Sequence, residues 1–311
     1  MGILRKPGRL AWAVLWTSAI LSAESLPAYR LLRTWGDQGD GPGQLRGAHG
    51  ICLDLKGNVI VVDSPGSRVY RYSPEGRFLG EIGGGPGSQP GRFKAPRDAR
   101  VDPSGKIFVA DGNNCRIQVF SPDGKFVAMF GRKGVGPGEL LRPHAIDFDR
   151  NNRLYVADVD NSRVTVFAES GKFLFSWGKA GKGPGEFNAP HGIGADPQGD
   201  VFVSNYYGPV QKFSPRGEFI IEFAGVKPDS GPVHYHSMAT DRQGNVYLTA
   251  RDRQRRSSIW KYSNKGVYIT SWNMPRDEQF VESAAVDSRG FVFVTYQGKA
   301  GTGVAVFEPQ H

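Results

Sequence analysis

IFVADGNNCRIQVFSPDGKFVAMFG, residues 107–131, contains three short apolar segments rich in β-branched and aromatic residues, separated by turn residues. Such segments are typical of antiparallel β-strands. Just before them, Asp102 ends another apolar run and Gly105 follows three positions later. Because Gly tolerates the positive φ of a tight turn, this Asp marks a turn between two more antiparallel strands. The stretch therefore predicts a four-stranded antiparallel unit.

The unit repeats along the chain. The equivalent turn aspartates are Asp54, Asp102, Asp149, Asp196, Asp241 and Asp287, at spacings of 48, 47, 47, 45 and 46 residues. Repeats of this length with four strands and no helical pattern predict an all-β fold, a six-bladed β-propeller around a central channel. The last unit stops after its third strand, whereas LLRTWG at residues 31–36 is similar to the fourth strand FLFSWG at residues 173–178. We expect this N-terminal strand to complete the last blade and close the ring.

The N-terminus predicts export. Arg5, Lys6 and Arg9 precede an apolar run at residues 10–21, and small residues then lead to polar Glu24. This order is typical of a secretory signal, so we expect residues 1–23 to be a cleaved signal peptide and residues 29–308 to form the propeller. The run is shorter than the roughly 20 residues of a membrane-spanning helix, which makes an uncleaved anchor the second interpretation. The expected location is secreted or periplasmic, without a stable membrane span after cleavage.

Charge and cysteine content argue against a nucleic-acid partner and a disulfide framework. The chain has 311 residues, 42 Gly, 21 Pro and a formal charge of +9. The densest basic run, which is Arg251, Arg253, Arg255 and Arg256 with polar residues between, is typical of a solvated loop, so we expect no nucleic-acid partner. Cys52 and Cys115 lie in different repeats and do not form a disulfide framework. We expect a monomer.

One position of the repeat collects histidines. The residue five before each turn Asp, here called the ring position, is His49, Arg97, His144, His191, His236 and Glu282 in blades 1 to 6. Equivalent residues of all blades lie at one height around the axis, so these side chains should meet at one mouth of the channel. One interpretation is structural, with a ring nitrogen bonding the backbone of a neighbouring blade. The other is a zinc site formed by His49, His144 and His236 from alternate blades, with His191 as an additional ligand candidate.

The repeat resembles that of the NHL family. DGNNCRIQVF at residues 111–120 and DVDNSRVTVF at residues 158–167 carry the family motif best, together with the linkers GDGPGQL, GVGPGEL and GKGPGEF. This resemblance implies the six-bladed fold but not one function, because such propellers bind proteins, RNA or small molecules, or catalyse reactions.

The histidine ring is similar to that of the peptidyl-α-hydroxyglycine α-amidating lyases, whose zinc is held by three histidines from alternate blades. In the family's ordinary blade order, the places of its catalytic Tyr and Arg hold Asn113 and Val159 in this chain. Only with the comparison started at His144 does the resemblance imply a catalytic Tyr207, eleven residues after Asp196, and a catalytic Arg251, ten after Asp241. It also implies a role for Arg97, which we expect to hold a substrate carboxylate. Tyr207 would accept the substrate's hydroxyl proton, and Arg251 would favour its phenolate.

The sequence thus predicts a secreted zinc-dependent lyase that cleaves a C–N bond to give an amide and glyoxylate. Its substrate would be a small molecule or peptide at the channel mouth, with Ca²⁺ as a candidate structural ion. The alternative is a non-catalytic extracytoplasmic propeller that binds a protein, peptide or glycan through its rim.

Overall fold

The computed structural model describes residues 29–206, 208–223, 234–252, 254, 256–274, 279–299 and 301–310. These residues form six four-stranded antiparallel sheets, the blades, whose strands are called inner, second, third and outer from the channel axis outward. Blade 1 contains Ala48–Leu53, Val59–Asp63, Arg68–Tyr72 and Phe78–Ile82. Blade 2 contains Asp98–Val101, Ile107–Asp111, Arg116–Phe120 and Phe126–Phe130. Blade 3 contains Pro143–Phe148, Arg153–Asp158, Arg163–Ala168 and Phe173–Trp177.

The second half repeats this order. Blade 4 contains Pro190–Ala195, Val201–Asn205, Val210–Phe213 and Phe219–Phe223. Blade 5 contains His234–Thr240, Val246–Arg251, Ser257–Tyr262 and Tyr268–Asn273. Blade 6 contains Gln279–Val286, Val292–Gly298, Gly301–Pro309 and, as its outer strand, Tyr29–Trp35. Each inner strand lies beside those of the blades before and after it, and blade 6 lies beside blade 1. The ring is closed, so blade 2 faces blade 5 across the axis.

The N-terminal strand closes the ring as the sequence predicts. Tyr29–Trp35 pairs antiparallel with Gly301–Pro309, with Leu31 opposite Phe307 and Trp35 opposite Val304. Trp35 packs on the core between blades 6 and 1, and its ring centroid lies 4.9 Å from that of Tyr72. Both termini of the described chain are therefore held in one sheet.

The predicted turns are confirmed in detail. The Asp54 carboxylate Oδ1 accepts the backbone N–H groups of Lys56 and Asn58, both at 2.9 Å, while Gly57 adopts φ +80°. The other five turn aspartates accept the same two N–H groups of their own turns. Asn152 takes the glycine place in blade 3 with φ +56°. The repeated Asp thus holds the turn through its side chain.

The repeated motif at residues 111–120 forms a buried polar network. Asp111, at the end of the second strand of blade 2, is fully buried and accepts four hydrogen bonds. Their donors are Lys94 N at 2.8 Å, Asn114 Nδ2 at 2.8 Å, Arg116 Nε at 2.8 Å and Gln118 Nε2 at 3.0 Å. Arg116 donates further to backbone carbonyls of the Gly-rich linker. This network ties the linker to the blade, and Asp158 and Arg163 repeat it in blade 3.

Short elements complete the described part. The linker segments Asp37–Gln38 with Gln44–Leu45, and Lys179–Ala180 with Glu186–Phe187, form two-residue parallel pairs. The two helices, Gly112–Asn114 and Val159–Asn161, are single 3₁₀ turns. No helix in these residues is long or apolar enough to cross a membrane. The proposed signal, residues 1–23, lies outside the described residues. Cys52 and Cys115 are buried free thiols.

Candidate functional site

The ring positions lie where the inner strands begin, at the channel end here called the histidine mouth. In five blades, the pairing of the inner and second strands shifts register at the ring position, as between Ala48 and Ile51 around His49. Such bulges re-aim a side chain. In blade 2, Arg97 directly precedes the inner strand Asp98–Val101.

Three imidazoles bridge neighbouring blades through Nδ1. His49 Nδ1 lies 2.8 Å from the carbonyl oxygen of Arg97, His144 Nδ1 lies 3.1 Å from that of His191, and His191 Nδ1 lies 3.2 Å from that of His236. A carbonyl oxygen only accepts, so each Nδ1 carries the proton and each Nε2 keeps its lone pair. The Nε2 atoms of His144 and His191 make no hydrogen bond to any described residue. The structural interpretation of the ring is therefore observed, and it leaves two acceptor nitrogens for a ligand.

Glu282 continues these contacts around the ring. Its Oε2 lies 3.5 Å from His236 Nδ1 and 3.8 Å from His49 Nε2, and Gln297 Nε2 donates to its Oε1 at 2.5 Å. Burial opposes ionisation of this carboxyl, but the hydrogen bond from His236, the charges of His49 and His236 and the bond from Gln297 outweigh burial and lower its pKa to about 2. Glu282 is thus a carboxylate that accepts from His236 and lies beside His49.

These hydrogen bonds and close contacts, here called the belt, join five of the six pairs of neighbouring blades. Among the described residues, no such contact joins blades 2 and 3, and this gap is the break in the belt. There the ring residue is Arg97, whose Nε is buried without a hydrogen-bond partner among the described residues. Burial and the nearby Arg142 guanidinium lower the pKa of Arg97, although an arginine stays charged. Arg142 also has a buried Nε without a hydrogen-bond partner among the described residues. Its Nη2 lies 2.7 Å from Asp160 Oδ1. A buried cationic donor without an acceptor is costly, so this break is suited to an anion.

Gly112 makes room for Arg97. A Cβ at Gly112 would lie 2.8 Å from Arg97 Cγ, so a larger residue would displace the guanidinium stem. Gly112 lies ten residues after the turn Asp102. The residues at this position in the six blades are Ser64, Gly112, Val159, Tyr206, Arg251 and Gln297.

Tyr206 lies at the histidine mouth. Its ring centroid lies 4.9 Å from that of His191, 5.4 Å from that of His236 and 5.0 Å from that of His234. The sequence-predicted Tyr207 lies outside the described residues. An equal count of ten residues from the turn aspartates selects Tyr206 together with Arg251, whereas Tyr207 needs a count of eleven.

Arg251 lies on the same rim. It pairs with His234 across the inner and second strands of blade 5, and its guanidinium carbon lies 3.7 Å from the centroid of the Phe280 ring. This distance is that of a cation–π contact. Burial, together with the nearby His236 and Arg251, lowers the pKa of His234.

Sequence reasoning missed Arg142, Tyr206 and Gln297, although the repeat carries signals for each. Arg142 lies two residues before the ring position, and the residues there are Gly47, Ala95, Arg142, Ala189, His234 and Phe280. Three of these six have large polar or aromatic side chains that reach the mouth. The position ten residues after the turn Asp would have identified Tyr206 and Gln297. Comparing neighbouring repeat positions, rather than one ring, recovers this part of the site.

The predicted zinc ligands have different neighbours in the ring. His49 and His236 both contact Glu282, whereas the His144 ring packs against that of His191 at an interplanar angle of 38°, with centroids 3.7 Å apart. Among the residues the structure describes, no group of three His, Cys, Asp or Glu side chains is placed to hold a metal ion. The imidazole nitrogens have the chemistry that suits zinc, which binds such nitrogens at about 2.0–2.1 Å. Zinc and calcium stay predictions.

Acid should destabilise the protein through the ring. Burial lowers the pKa of His191 from 6.5 to about 3, and burial also lowers the pKa values of His49 and His144. The unfolded chain then binds more protons than the folded chain between pH 6.5 and about 3, so the free energy of unfolding falls as pH drops through this window. The slope is at most about 1.4 kcal/mol per pH unit for each histidine. Glu282 adds stability above pH 4.5 that is lost toward pH 2.

The test is urea unfolding from pH 8 to pH 4 with His191→Asn, which keeps a donor near Nδ1 but does not titrate. We expect a shallower pH dependence for the variant below pH 6.5 and parallel curves above pH 7. Equal slopes for both proteins below pH 6.5 would contradict a buried neutral His191.

Comparisons with known proteins agree on the architecture. A family model described as a 6-bladed β-propeller matches residues 100–158 and 149–203. The chain is a six-bladed β-propeller. A search of curated protein sequences found no match.

Similar solved structures include propeller enzymes. A catalytically inactive histidine-to-alanine variant of virginiamycin B lyase from Staphylococcus aureus with quinupristin is 13% identical at a TM-score of 0.60, covering 91% of this chain and 88% of that one. A gluconolactonase from Xanthomonas campestris is 14% identical at 0.65, covering 91% and 90%. A luciferin-regenerating enzyme is 13% identical at 0.62, covering 92% and 95%. At these identities the likeness establishes the fold alone, and none of the three is an amidating lyase.

Proposed function

We propose that the protein is an extracytoplasmic propeller lyase that binds an anionic substrate at the histidine mouth. The observation that carries this proposal is the break in the belt, where Arg97 presents a buried, unpartnered guanidinium nitrogen. A substrate carboxylate is the simplest planar anion that satisfies such a donor. The neutral His144 and Nδ1-protonated His191 beside it offer acceptor nitrogens to hydroxyl or amide donors of the same substrate.

In the proposed reaction, His236 acts as the general base and acid, and Glu282 supports it. Blade 5 faces blade 2 across the axis, so a substrate anchored at Arg97 extends toward His236. The Glu282 carboxylate near Nδ1 orients the imidazole and stabilises the imidazolium that forms when Nε2 takes a proton. The Tyr206 ring packs beside those of His191 and His236 and lines the mouth at blades 4 and 5. The inactive histidine variant among the similar structures shows that one other propeller lyase depends on a histidine.

The reaction that suits this arrangement is the C–N cleavage implied by the sequence resemblance. A peptidyl-α-hydroxyglycine would place its carboxylate at Arg97 and its hydroxyl at His236. The hydroxyl proton passes to His236 Nε2, the C–O bond becomes a carbonyl, and the C–N bond breaks with its electron pair on nitrogen. That nitrogen then takes the proton back from the imidazolium. The products are an amide and glyoxylate, and atoms balance without a further reactant.

Enzyme assays on two variants test the proposal. Glu282→Gln is expected to lower kcat about 100-fold or more, because the amide no longer stabilises the imidazolium. Arg97→Gln is expected to lower kcat/KM about 10- to 100-fold, mostly through KM, because a charged hydrogen bond to the carboxylate is lost. Glyoxylate release from N-benzoyl-α-hydroxyglycine measures both, and Lys172→Gln, an exposed residue of a peripheral turn, is the matched control.

The same assay distinguishes the rival hypotheses. Absence of glyoxylate release by the folded wild-type protein, with and without added zinc, would overturn the lyase proposal. Carboxylate binding that is weakened by Arg97→Gln but is never followed by turnover would favour the non-catalytic binding propeller. Equimolar zinc in the purified protein, lost together with activity in a chelator, would restore a metal to the mechanism. Cell fractionation tests export by residues 1–23.

A further inference from the structure

Arginines from two neighbouring blades lie at the break in the belt. Arg97 holds the ring position of blade 2, and Arg142 lies two residues before the ring position of blade 3. Gly112 lies between the two segments, because a Cβ there would be 2.8 Å from Arg97 Cγ and 3.4 Å from the carbonyl oxygen of Pro143, the residue after Arg142. Burial lowers the pKa of Arg97, and the nearby Arg142 charge lowers it further. The two guanidinium groups therefore belong to one gap between the blades.

Neither guanidinium group has all its donors satisfied. No hydrogen bond or ion pair joins the Arg97 guanidinium to any residue that the structure describes, and its Nε is buried. The Arg142 Nε is also buried and has no acceptor in the same part of the chain. Two buried, charged N–H donors at one gap are costly unless a ligand supplies an acceptor for each.

Contacts within the protein hold both arginines before a ligand binds. The Arg97 backbone N–H donates to the carbonyl oxygen of Ala110 at 2.8 Å. For Arg142, the backbone N–H donates to Asp158 Oδ1 at 3.3 Å, and Nη2 contacts Asp160 Oδ1 at 2.7 Å. Arg142 is thus anchored at its backbone and at one end of its guanidinium, which lowers the entropic cost of binding through the other donors.

One negative charge balances the gap. Asp160 already compensates Arg142, whereas Arg97 has no ion-pair partner within the described chain. The Glu282 carboxylate acts on Arg97 only from a distance, because its own contacts are with His236 and His49. A ligand carboxylate supplies this single charge together with two oxygen acceptors, one for each guanidinium group.

We propose that Arg97 and Arg142 bind one substrate carboxylate together, with the Nε of each arginine donating to a different oxygen. The inference rests on the proposed function and adds Arg142 to it as a second binding residue that determines specificity. Two contacts fix the plane of the carboxylate as well as its position, so the reacting carbon is directed across the mouth. An amide in the same place has one oxygen and two N–H donors, which leaves one guanidinium unsatisfied. The site therefore selects a free acid at the end of its substrate.

Binding of a matched pair of ligands tests this inference. N-Benzoylglycine carries the carboxylate, and N-benzoylglycinamide has an uncharged amide in its place. In Arg142→Gln, we expect the affinity for N-benzoylglycine, measured by isothermal titration calorimetry, to fall about 10- to 100-fold and that for the amide to change less than about twofold. Arg142→Lys keeps the positive charge but lacks the guanidinium donors, and it is expected to lose about fivefold or more of the affinity for the acid.

The matched control is Arg132→Gln. Arg132 lies in the same linker between blades 2 and 3 and also pairs with a carboxylate, that of Glu139 at 2.9 Å, but its side chain is 83% exposed. We expect this variant to bind both ligands as the wild-type protein does. Circular dichroism verifies that each variant is folded at the temperature of the titration.

Each outcome of the titrations decides the inference. Loss of affinity for the acid in Arg142→Gln, without a matching loss for the amide or in Arg132→Gln, supports it. Unchanged affinity of the folded Arg142 variants for N-benzoylglycine overturns it, as does an equal loss for both ligands. Absence of N-benzoylglycine binding by the wild-type protein would overturn it together with the assignment of Arg97. The lyase proposal fails separately, if N-benzoylglycine binds through Arg142 but no glyoxylate is released from the hydroxylated substrate.

Discussion

Deletion of residues 29–35 is expected to lower the free energy of unfolding by about 5 kcal/mol or more and the melting temperature by about 10 °C or more. The deletion removes the outer strand of blade 6 and leaves Gly301–Pro309 with an unpaired edge. It also uncovers the cores on which Tyr29, Leu31 and Trp35 pack. Thermal unfolding followed by circular dichroism measures the effect.

Two point variants show how much of the stability lost in the deletion comes from single side chains. Trp35→Ala is expected to cost about 2 kcal/mol, less than for a fully buried tryptophan, because Trp35 is only part-buried. Arg33→Ala, on the exposed side of the same strand, is expected to leave stability unchanged. A deleted chain that unfolds at the wild-type temperature would show that the ring does not need this strand.

Asp111→Ala is expected to destabilise the fold by about 3–5 kcal/mol. The substitution leaves the Arg116 guanidinium, which is only 8% exposed, without its carboxylate and also removes the acceptor for Lys94 N–H. Loss of one partner of a buried ion pair costs more than loss of both. Urea unfolding measures the difference.

The double variant Asp111→Ala with Arg116→Met completes this test. It is expected to recover part of the lost stability, since no buried charge is then unpaired. Asp123→Ala, in the exposed Asp123–Lys125 pair, is the control and is expected to leave the unfolding midpoint unchanged. An Asp111→Ala protein as stable as the control variant would mean that the motif residues do not hold the linker.

The sequence predicts the architecture well because each element has a local cause. Turn aspartates such as Asp54 accept N–H groups from their own turn, so their spacing reports the blades directly. Ring closure follows from the likeness of residues 31–36 to residues 173–178, which both form outer strands. The turns need no knowledge of the other blades, and ring closure needs only a comparison with the outer strand of blade 3.

The histidine mouth is harder to predict because its contacts join residues from different blades. Symmetry places His49 and His144 at one height, and their ring centroids lie 5.1 Å apart, but it does not say where each nitrogen points. Glu282 contacts both His236 and His49. It lies 46 residues after His236 in the sequence, and it meets His49 only because blade 6 lies beside blade 1 in the closed ring. The unpartnered Nε of Arg97 is likewise visible only once its surroundings are known.

The most direct test of the proposed site is a crystal structure of the protein with N-benzoylglycine, which has the substrate's carboxylate but lacks the reactive hydroxyl. We expect its carboxylate within hydrogen-bonding distance of the Arg97 guanidinium and its amide extending across the mouth toward His236. A ligand bound elsewhere on the propeller at saturating concentration, with Arg97 unoccupied, would contradict the assignment of the histidine mouth as the substrate site.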